Sequence, residues 1–485
     1  LTAHRAGLVR EPPVGNYFDD AEPTLAATVA SLNATTLVCA PGTLTKYSNA
    51  GIAVVGRVLE VHYGQPYVAL MHERVLAPLG LPDAAFAPTP RTEQRLAEAR
   101  MWAYDGREDP APTFQLGMVP AGSLYASALE LAQFLSVLFD GGRGPQGPLV
   151  QAETLEQMMR PVLGPDGKPA RFGIGFAIDD LDGHRRCGHG GAMYGFATTL
   201  SFLPDERLGG AVLTSMDVAN SVTDRIAAHA LRGLLALRAG QPPPQLALSQ
   251  PLAPEQAAFF EGQWRSASGE TVEIVHHEDR LRLERRGTLA ELRVVGGVLT
   301  VDDRHAFGLT LEDLGGGGLG IGGERFERLP GHKPAPCPEK WRDLIGEYGW
   351  DHNVLFVRER AGQLEALIEW FWLDALTELA PDVFALPENR GLYPLERLTF
   401  RRDAAGRVTH AVLGAVAFAR RPTSASGVTF RIQPLLPVEE LRRIAEAATP
   451  PVERGPMLVA DLVDLAMAVP RSGWRAISRV GIASS

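Results

Sequence analysis

Apolar positions change their period twice along this chain, and each change divides it. Residues 50–63 place Ile52, Val55, Val58 and Leu59 at helical spacing, closed by Gly64. Ser127 and Glu130 form a capping-box pair ahead of Leu131, Phe134, Leu135 and Leu138, and Gly141-Gly142 ends that helix. The pattern then shortens: residues 196–202 and 210–214 read as two strands joined by a turn at Pro204-Asp205. A further helix is predicted over 221–238, with Ile226, Ala230, Leu234 and Leu237 on one face.

Beyond Gln241-Pro242-Pro243-Pro244 the texture is all-β. Short strands are predicted at 272–275 and 281–283, then at 354–357 and 364–368. Gly346-Glu347-Tyr348 echoes Gly262-Gln263-Trp264, a weak repeat that suggests two β-units or two halves of one barrel. The organisation expected is therefore 1–240 mixed α/β, a linker at 241–254, a β-unit at 255–330, a linker at 331–340, a second β-unit at 341–422, and an ill-defined tail at 423–485 with a short helix at 437–448.

Composition narrows the function. Hydrophobic residues at 45% and charged residues at 21% describe an ordinary globular chain, and 485 residues exceed one core. A net charge of −10 without a basic stripe argues against nucleic acid as a partner. Cys39, Cys187 and Cys337 are too few and too scattered for a disulfide framework or a zinc site, and His276-His277-Glu278 completes no ligand set, so no metal or cofactor is expected. No apolar run reaches the ~20 residues of a membrane span. The chain starts at Leu1 in mid-motif, which reads as a piece or a processed product of something longer.

Two short motifs carry the chemistry. Tyr47-Ser48-Asn49 sits on a loop at a helix start, where a tyrosine beside cations could serve as a base and an asparagine could orient a carbonyl or an ammonium. Gly188-His189-Gly190-Gly191-Ala192 reads as a strand whose glycines admit a ligand to the backbone, with the Ala192 N–H free to meet an oxyanion.

Together the motifs resemble the second and third signatures of the class C β-lactamase, penicillin-binding protein and esterase/D-aminopeptidase superfamily. His-x-Gly stands where many members carry Lys-Thr-Gly. The flanks agree: Leu1-Thr2-Ala3-His4-Arg5-Ala6-Gly7-Leu8 is similar to the family's "LLTHTSGL" segment, Pro41-Gly42-Thr43 precedes the tyrosine motif, and Pro120-Ala121-Gly122-Ser123-Leu124 resembles its "PAGGL" stretch. The resemblance covers about residues 1–240. It implies an α/β (α+β) transpeptidase-like domain without its N-terminal segment. Tyr47, Asn49, His189 and Ala192 would be catalytic, while Gly190, Gly191, Gly122 and Ser123 would line the substrate site. It implies no cofactor, a small-molecule or peptide substrate, and a periplasmic or secreted location.

The family's first signature, Ser-x-x-Lys, is absent. The only lysines are Lys46, Lys168, Lys333 and Lys340, preceded at three places by Thr43, Pro165, Pro330 and Cys337. Thr43-x-x-Lys46 is the near match, but its threonine falls where the family has a turn residue. Removing the nucleophile of a comparable hydrolase costs roughly a millionfold in kcat, so negligible turnover is expected of this chain. Missing N-terminal strands would also leave Val212 and its neighbours along an unpaired edge.

The β-rich part resembles the lipocalin-like barrels that follow such domains, through Gly346-Glu347-Tyr348-Gly349-Trp350-Asp351-His352-Asn353. Trp370, Phe371 and Trp372 could line a barrel mouth, although core packing accounts for them better. Gln433-Pro434-Leu435 and Ala460-Asp461-Leu462-Val463-Asp464-Leu465 resemble the lead-in to a D-Ala-D-Ala dipeptidase domain. Two functions follow: a penicillin-recognising hydrolase lacking its acylating residue, or a non-catalytic binding or scaffold protein acting through the lipocalin-like part.

Overall fold

A four-stranded antiparallel sheet organises the first half of the chain. Its strands, Ala177–Leu181, His184–Met193, Phe196–Leu203 and Leu208–Thr214, pair in sequence order. The helices Ala128–Phe139 and Asn220–Arg238 pack against the last of these strands. In this computed structural model the described residues are 1–421, apart from 103–107, 165–166, 278–279, 286–287, 305, 331–336, 351–352, 361, 370–371 and 389. The tail motifs named above and the segments Asp351-His352 and Trp370-Phe371 therefore lie outside them, as do Glu278 and the side chains of His276, His277 and Trp372.

Local chemistry explains the helix ends. Ser48 caps Asn49–Tyr63 by accepting from the Gly51 N–H at 2.9 Å, and Gly64 closes it at φ 67°. At Ser127 both halves of the capping box form, so Ala128–Phe139 starts where the sequence says it should. Both helix starts matter because each delivers chain to the same cavity.

Helix faces were the harder reading. The side of Asn220–Arg238 that meets the sheet carries Thr223, Ala227, Ala228 and Leu231, whereas the predicted stripe of Ile226, Ala230, Leu234 and Leu237 points to solvent. Asn49–Tyr63 likewise buries Ala50, Gly51, Ala53 and Gly56, and Val58 is exposed. Small residues win because they let the neighbour approach: a Cβ at Gly56 would stand 2.1 Å from Pro120 Cγ. Large apolar residues pack only where there is room.

The chain divides into two compact units. One holds residues 1–246 with 346–357 and 363–423; the other holds 247–345 with 358–362. In the second unit eight antiparallel strands, from Gly262–Ser266 to Glu324–Arg328, close into a barrel when Arg280–Arg285 pairs with Thr288–Val295. Its interior is filled by apolar side chains, with Trp264, Leu319, Ile321 and Phe326 at 0% exposure. Within the first unit, strands Gly346–Trp350 through Val416–Ala419 form sheets of four and five strands that meet where Tyr348 bridges Arg420. A mixed α/β first part and a closed antiparallel barrel in the later part of the chain are the architecture expected from the sequence.

The edge at Leu208–Thr214 is open among the described strands, and Val212 is half-buried beside the exposed Leu213.

Candidate active site

A cavity of about 880 Å³ opens in the first unit. All eight residues singled out from the sequence line it: Tyr47, Asn49, Gly122, Ser123, His189, Gly190, Gly191 and Ala192. They arrive from separate elements, the tyrosine loop with the helix start behind it, the short helix Val119–Gly122 with the residue after it, and the distal half of His184–Met193.

That distal half is available for a physical reason. The strand Ala177–Leu181 pairs only as far as Gly188, so residues 189–193 keep one strand edge without a ladder partner among the described strands. The opposite edge is held by Phe196–Leu203, with His189 opposite Leu200 and Ala192 opposite Ala197. Asn220 donates to the Gly191 carbonyl at 2.8 Å and fixes this stretch from behind. A Cβ at Gly191 would meet Thr198 Oγ1 at 2.3 Å, so the close approach needs glycine there.

The Tyr47 and His189 rings lie 6.2 Å apart between centroids. Two rings join them. Phe172 is 6.2 Å from Tyr47 and 6.3 Å from His189, and His4 lies 4.1 Å from Tyr47 and 4.9 Å from Phe172. His189 sets its Nδ1 2.6 Å from the Gly190 carbonyl, so Nδ1 donates to that oxygen. His4 Nδ1 accepts the Ser48 N–H at 3.2 Å, which ties the tyrosine loop to the chain's first residues.

Electrostatics correct one expectation. Burial pushes the Tyr47 phenol above its ordinary value, Glu11 adds to this, and Arg10, 5.2 Å over the ring, only partly opposes it. Tyr47 is therefore a neutral phenol at pH 7, a donor more than a base in this arrangement. The His4 imidazole is lowered to about 4 by burial, with His189 and Arg10 adding to the effect, and so is neutral as well. Burial pushes Glu11 up to about 8, against Arg10 and the Asn49 hydrogen bond.

The near match Thr43–Lys46 has no nucleophilic geometry. Thr43 Oγ1 donates to the Ala40 carbonyl at 2.6 Å, and buried Lys46 forms a 2.5 Å ion pair with Glu396. Glu396 also accepts the Arg10 N–H at 2.8 Å. It belongs to the strands and loops at 346–419, as do Tyr393, whose ring lies 5.7 Å from the Arg10 guanidinium, and Trp350, which packs on Phe114 and Tyr194. Phe114 and Tyr194 are themselves cavity residues.

Sequence reasoning missed Arg10, Glu11, Tyr17, Phe172 and this contribution from Trp350, Tyr393 and Glu396. His4 and Arg10 stood inside or beside a segment already singled out, so proximity to the motif was a usable signal. Glu396 lies 350 residues from Lys46, and nothing local announces it.

Several known proteins are similar to this chain. The Beta-lactamase family model matches residues 1–234. Penicillin-binding protein 4 of Amycolatopsis lactamdurans is 28% identical over 191 residues, 38% of this chain and 50% of that protein. A D-aminopeptidase of Brucella ovis is 24% identical over 387 residues, 77% of this chain and 70% of that protein. The octameric penicillin-binding protein homologue from Pyrococcus abyssi superposes with a TM-score of 0.43 at 21% identity, covering 67% of this chain and 76% of that one. The chain thus spans half the length of the penicillin-binding protein it matches. The match to the Beta-lactamase model therefore spans 234 of 485 residues, and similarity to the D-aminopeptidase extends beyond it.

Proposed function

We propose that the 880 Å³ cavity is the substrate site of a penicillin-recognising hydrolase, shaped for a D-Ala-D-Ala-type peptide, a β-lactam or a small ester. The observation that carries this reading is the convergence of Tyr47, Asn49, His189 and the open Gly190–Ala192 edge on one space. In this reading Tyr47 and His189 hydrogen-bond the substrate, Asn49 orients its carbonyl or amine, and Ala192 offers its N–H to the developing oxyanion, a contact of ~3 kcal/mol in comparable enzymes. The complete chemistry would pass through an acyl-enzyme on a serine. No Ser-x-x-Lys is present among these 485 residues, so this chain binds without acylating.

The rival reading, binding through the lipocalin-like barrel at 262–328, is disfavoured because its interior is filled by Trp264, Phe326 and their neighbours. Calorimetric titration with a D-Ala-D-Ala peptide, paired with intact-mass analysis after a fluorescent penicillin, tests both halves. Reversible binding with no added mass is expected. A stoichiometric adduct would refute the absence of acylation, and no binding by peptide, penicillin or ester would refute the site.

A further inference from the structure

The open edge of His184–Met193 offers donors and withholds acceptors. A two-residue turn, Tyr194-Gly195, joins Met193 to its partner Phe196, so Met193 is a ladder-bonded position. Such positions alternate along an antiparallel strand. Gly191 and His189 therefore also face Phe196–Leu203, while Gly190 and Ala192 turn their N–H and C=O groups to the open edge. An ordinary edge would show both kinds of group and invite another strand. Here both outward carbonyls are taken: that of Gly190 accepts His189 Nδ1 at 2.6 Å, and that of Ala192 accepts the Tyr17 hydroxyl at 3.5 Å.

Tyr17, itself a cavity residue, is held for this contact. Its backbone carbonyl accepts the Tyr194 hydroxyl, which ties it to the turn that ends the same strand. A Cβ at Gly122 would stand 3.2 Å from Tyr17 Oη, so glycine there leaves the hydroxyl its slot. Burial, reinforced by Glu11 and Tyr47, pushes the Tyr17 phenol well above its ordinary value, and it stays a donor at neutral pH. The two N–H groups left on the edge are about 6.8 Å apart, two residues along a strand. A ligand lying along them gains by offering acceptors. A ligand amide N–H aimed at Ala192 finds the carbonyl already occupied and forfeits a hydrogen bond.

We infer that Tyr17 is the specificity-determining residue of this edge: by capping the Ala192 carbonyl, as His189 caps that of Gly190, it leaves a row of donors that takes an ester-linked ligand in preference to the matching amide. The inference rests on the proposed function and narrows its substrate class to ligands whose linkage beside the edge accepts hydrogen bonds and donates none.

The test is equilibrium binding of N-acetyl-D-Ala-D-Ala and of its two single-ester analogues, N-acetyl-D-Ala-D-lactate and O-acetyl-D-lactyl-D-Ala, to the whole chain and to Tyr17→Phe. An amide N–H buried without an acceptor costs enough that one ester should bind roughly fivefold or more tightly than the amide. Tyr17→Phe keeps the ring and frees the Ala192 carbonyl. It should bring the two ligands within about twofold by tightening the amide, a gain that a merely structural role would not give. An amide that binds the original chain as tightly as both esters, or a preference that survives Tyr17→Phe, overturns the inference and leaves the proposed function standing. So does a preference lost only because the ester weakens. Two small probes cover the remaining case: acetate, which only accepts, and methylammonium, which only donates, titrated against the Gly190 and Ala192 amide resonances of the original chain. With neither peptide nor ester bound, shifts with acetate alone would keep the inference and discard the proposed function. Equal shifts with both probes, or none with acetate, would then discard both.

Discussion

The barrel at 262–328 and the sheets at 346–419 begin alike and differ inside. Each opens on a glycine strand whose aromatic residue, Trp264 or Tyr348, is at 0% exposure, and each ends with an arginine over that ring, Arg328 at 4.3 Å and Arg420 at 5.6 Å. The barrel at 262–328 then fills its interior with aliphatic and aromatic side chains. The region at 346–419 buries Asn353, Asp374 and Glu396, and sends Glu396 to Lys46 and Asn353 toward the Tyr194 hydroxyl at 3.5 Å. Buried polar groups thus mark the region that packs against residues behind the cavity lining. An apolar interior stabilises; a buried charge must be matched by something, and here the match is in the catalytic-type loop.

Substitution should separate the two regions. Glu396→Ala leaves Lys46 buried without its partner and the Arg10 N–H unsatisfied, and should cost about 3–5 kcal/mol in denaturant unfolding while also weakening ligand binding in the cavity. Replacing both partners, Lys46→Met with Glu396→Leu, should recover most of that stability. Trp264→Ala should cost a similar ~3–5 kcal/mol in the unfolding of its own unit, through the cavity it leaves, with cavity-ligand affinity unchanged. If Trp264→Ala moved ligand affinity, or Glu396→Ala did not, the contrast between the two regions would fail.

Legibility from sequence follows the same divide. The strand pairs, the Ser127 capping box and the lining residues of the cavity were readable because each is set by neighbours within a few positions, or by a motif whose spacing the chemistry imposes. Glu396 was not, because its meaning depends on a lysine 350 residues away. Helix faces misled for a third reason: on Asn220–Arg238 the buried side is marked by Thr223 and Ala227, which hydropathy ranks below the leucines left outside. Phe172 escaped because a phenylalanine between Arg171 and Gly173 looks the same in a core as at a cavity wall.

Acidity provides a smaller effect that compares two residues of one loop. His4 falls from 6.5 to about 4 on folding, so between those values the unfolded chain holds the extra proton and stability rises with pH. Glu11 rises from 4.5 to about 8, so across that window the folded chain holds the extra proton and stability falls with pH. The two slopes oppose each other wherever the windows overlap. Thermal unfolding of the variants should resolve them: His4→Gln should lose the rise on the acid side, and Glu11→Gln should lose the decline toward pH 8. Parallel profiles for the original chain and both variants would show that neither group is buried as described.

The smallest expected effect concerns the outward face of Asn220–Arg238. Leu234 and Leu237 are 40% and 59% exposed, and a polar replacement there removes no packing. Leu237→Glu should therefore change unfolding free energy by no more than about 0.5 kcal/mol, as surface substitutions do. Ala227→Leu, on the hidden side at 2% exposure, adds volume where helix and sheet already touch and should cost about 1–3 kcal/mol. The ratio between the two is what matters, because hydropathy alone ranks them the other way. A Leu237→Glu chain that lost more stability than Ala227→Leu would mean that the outward leucines are covered in solution, and that the face inferred from periodicity is the working one after all.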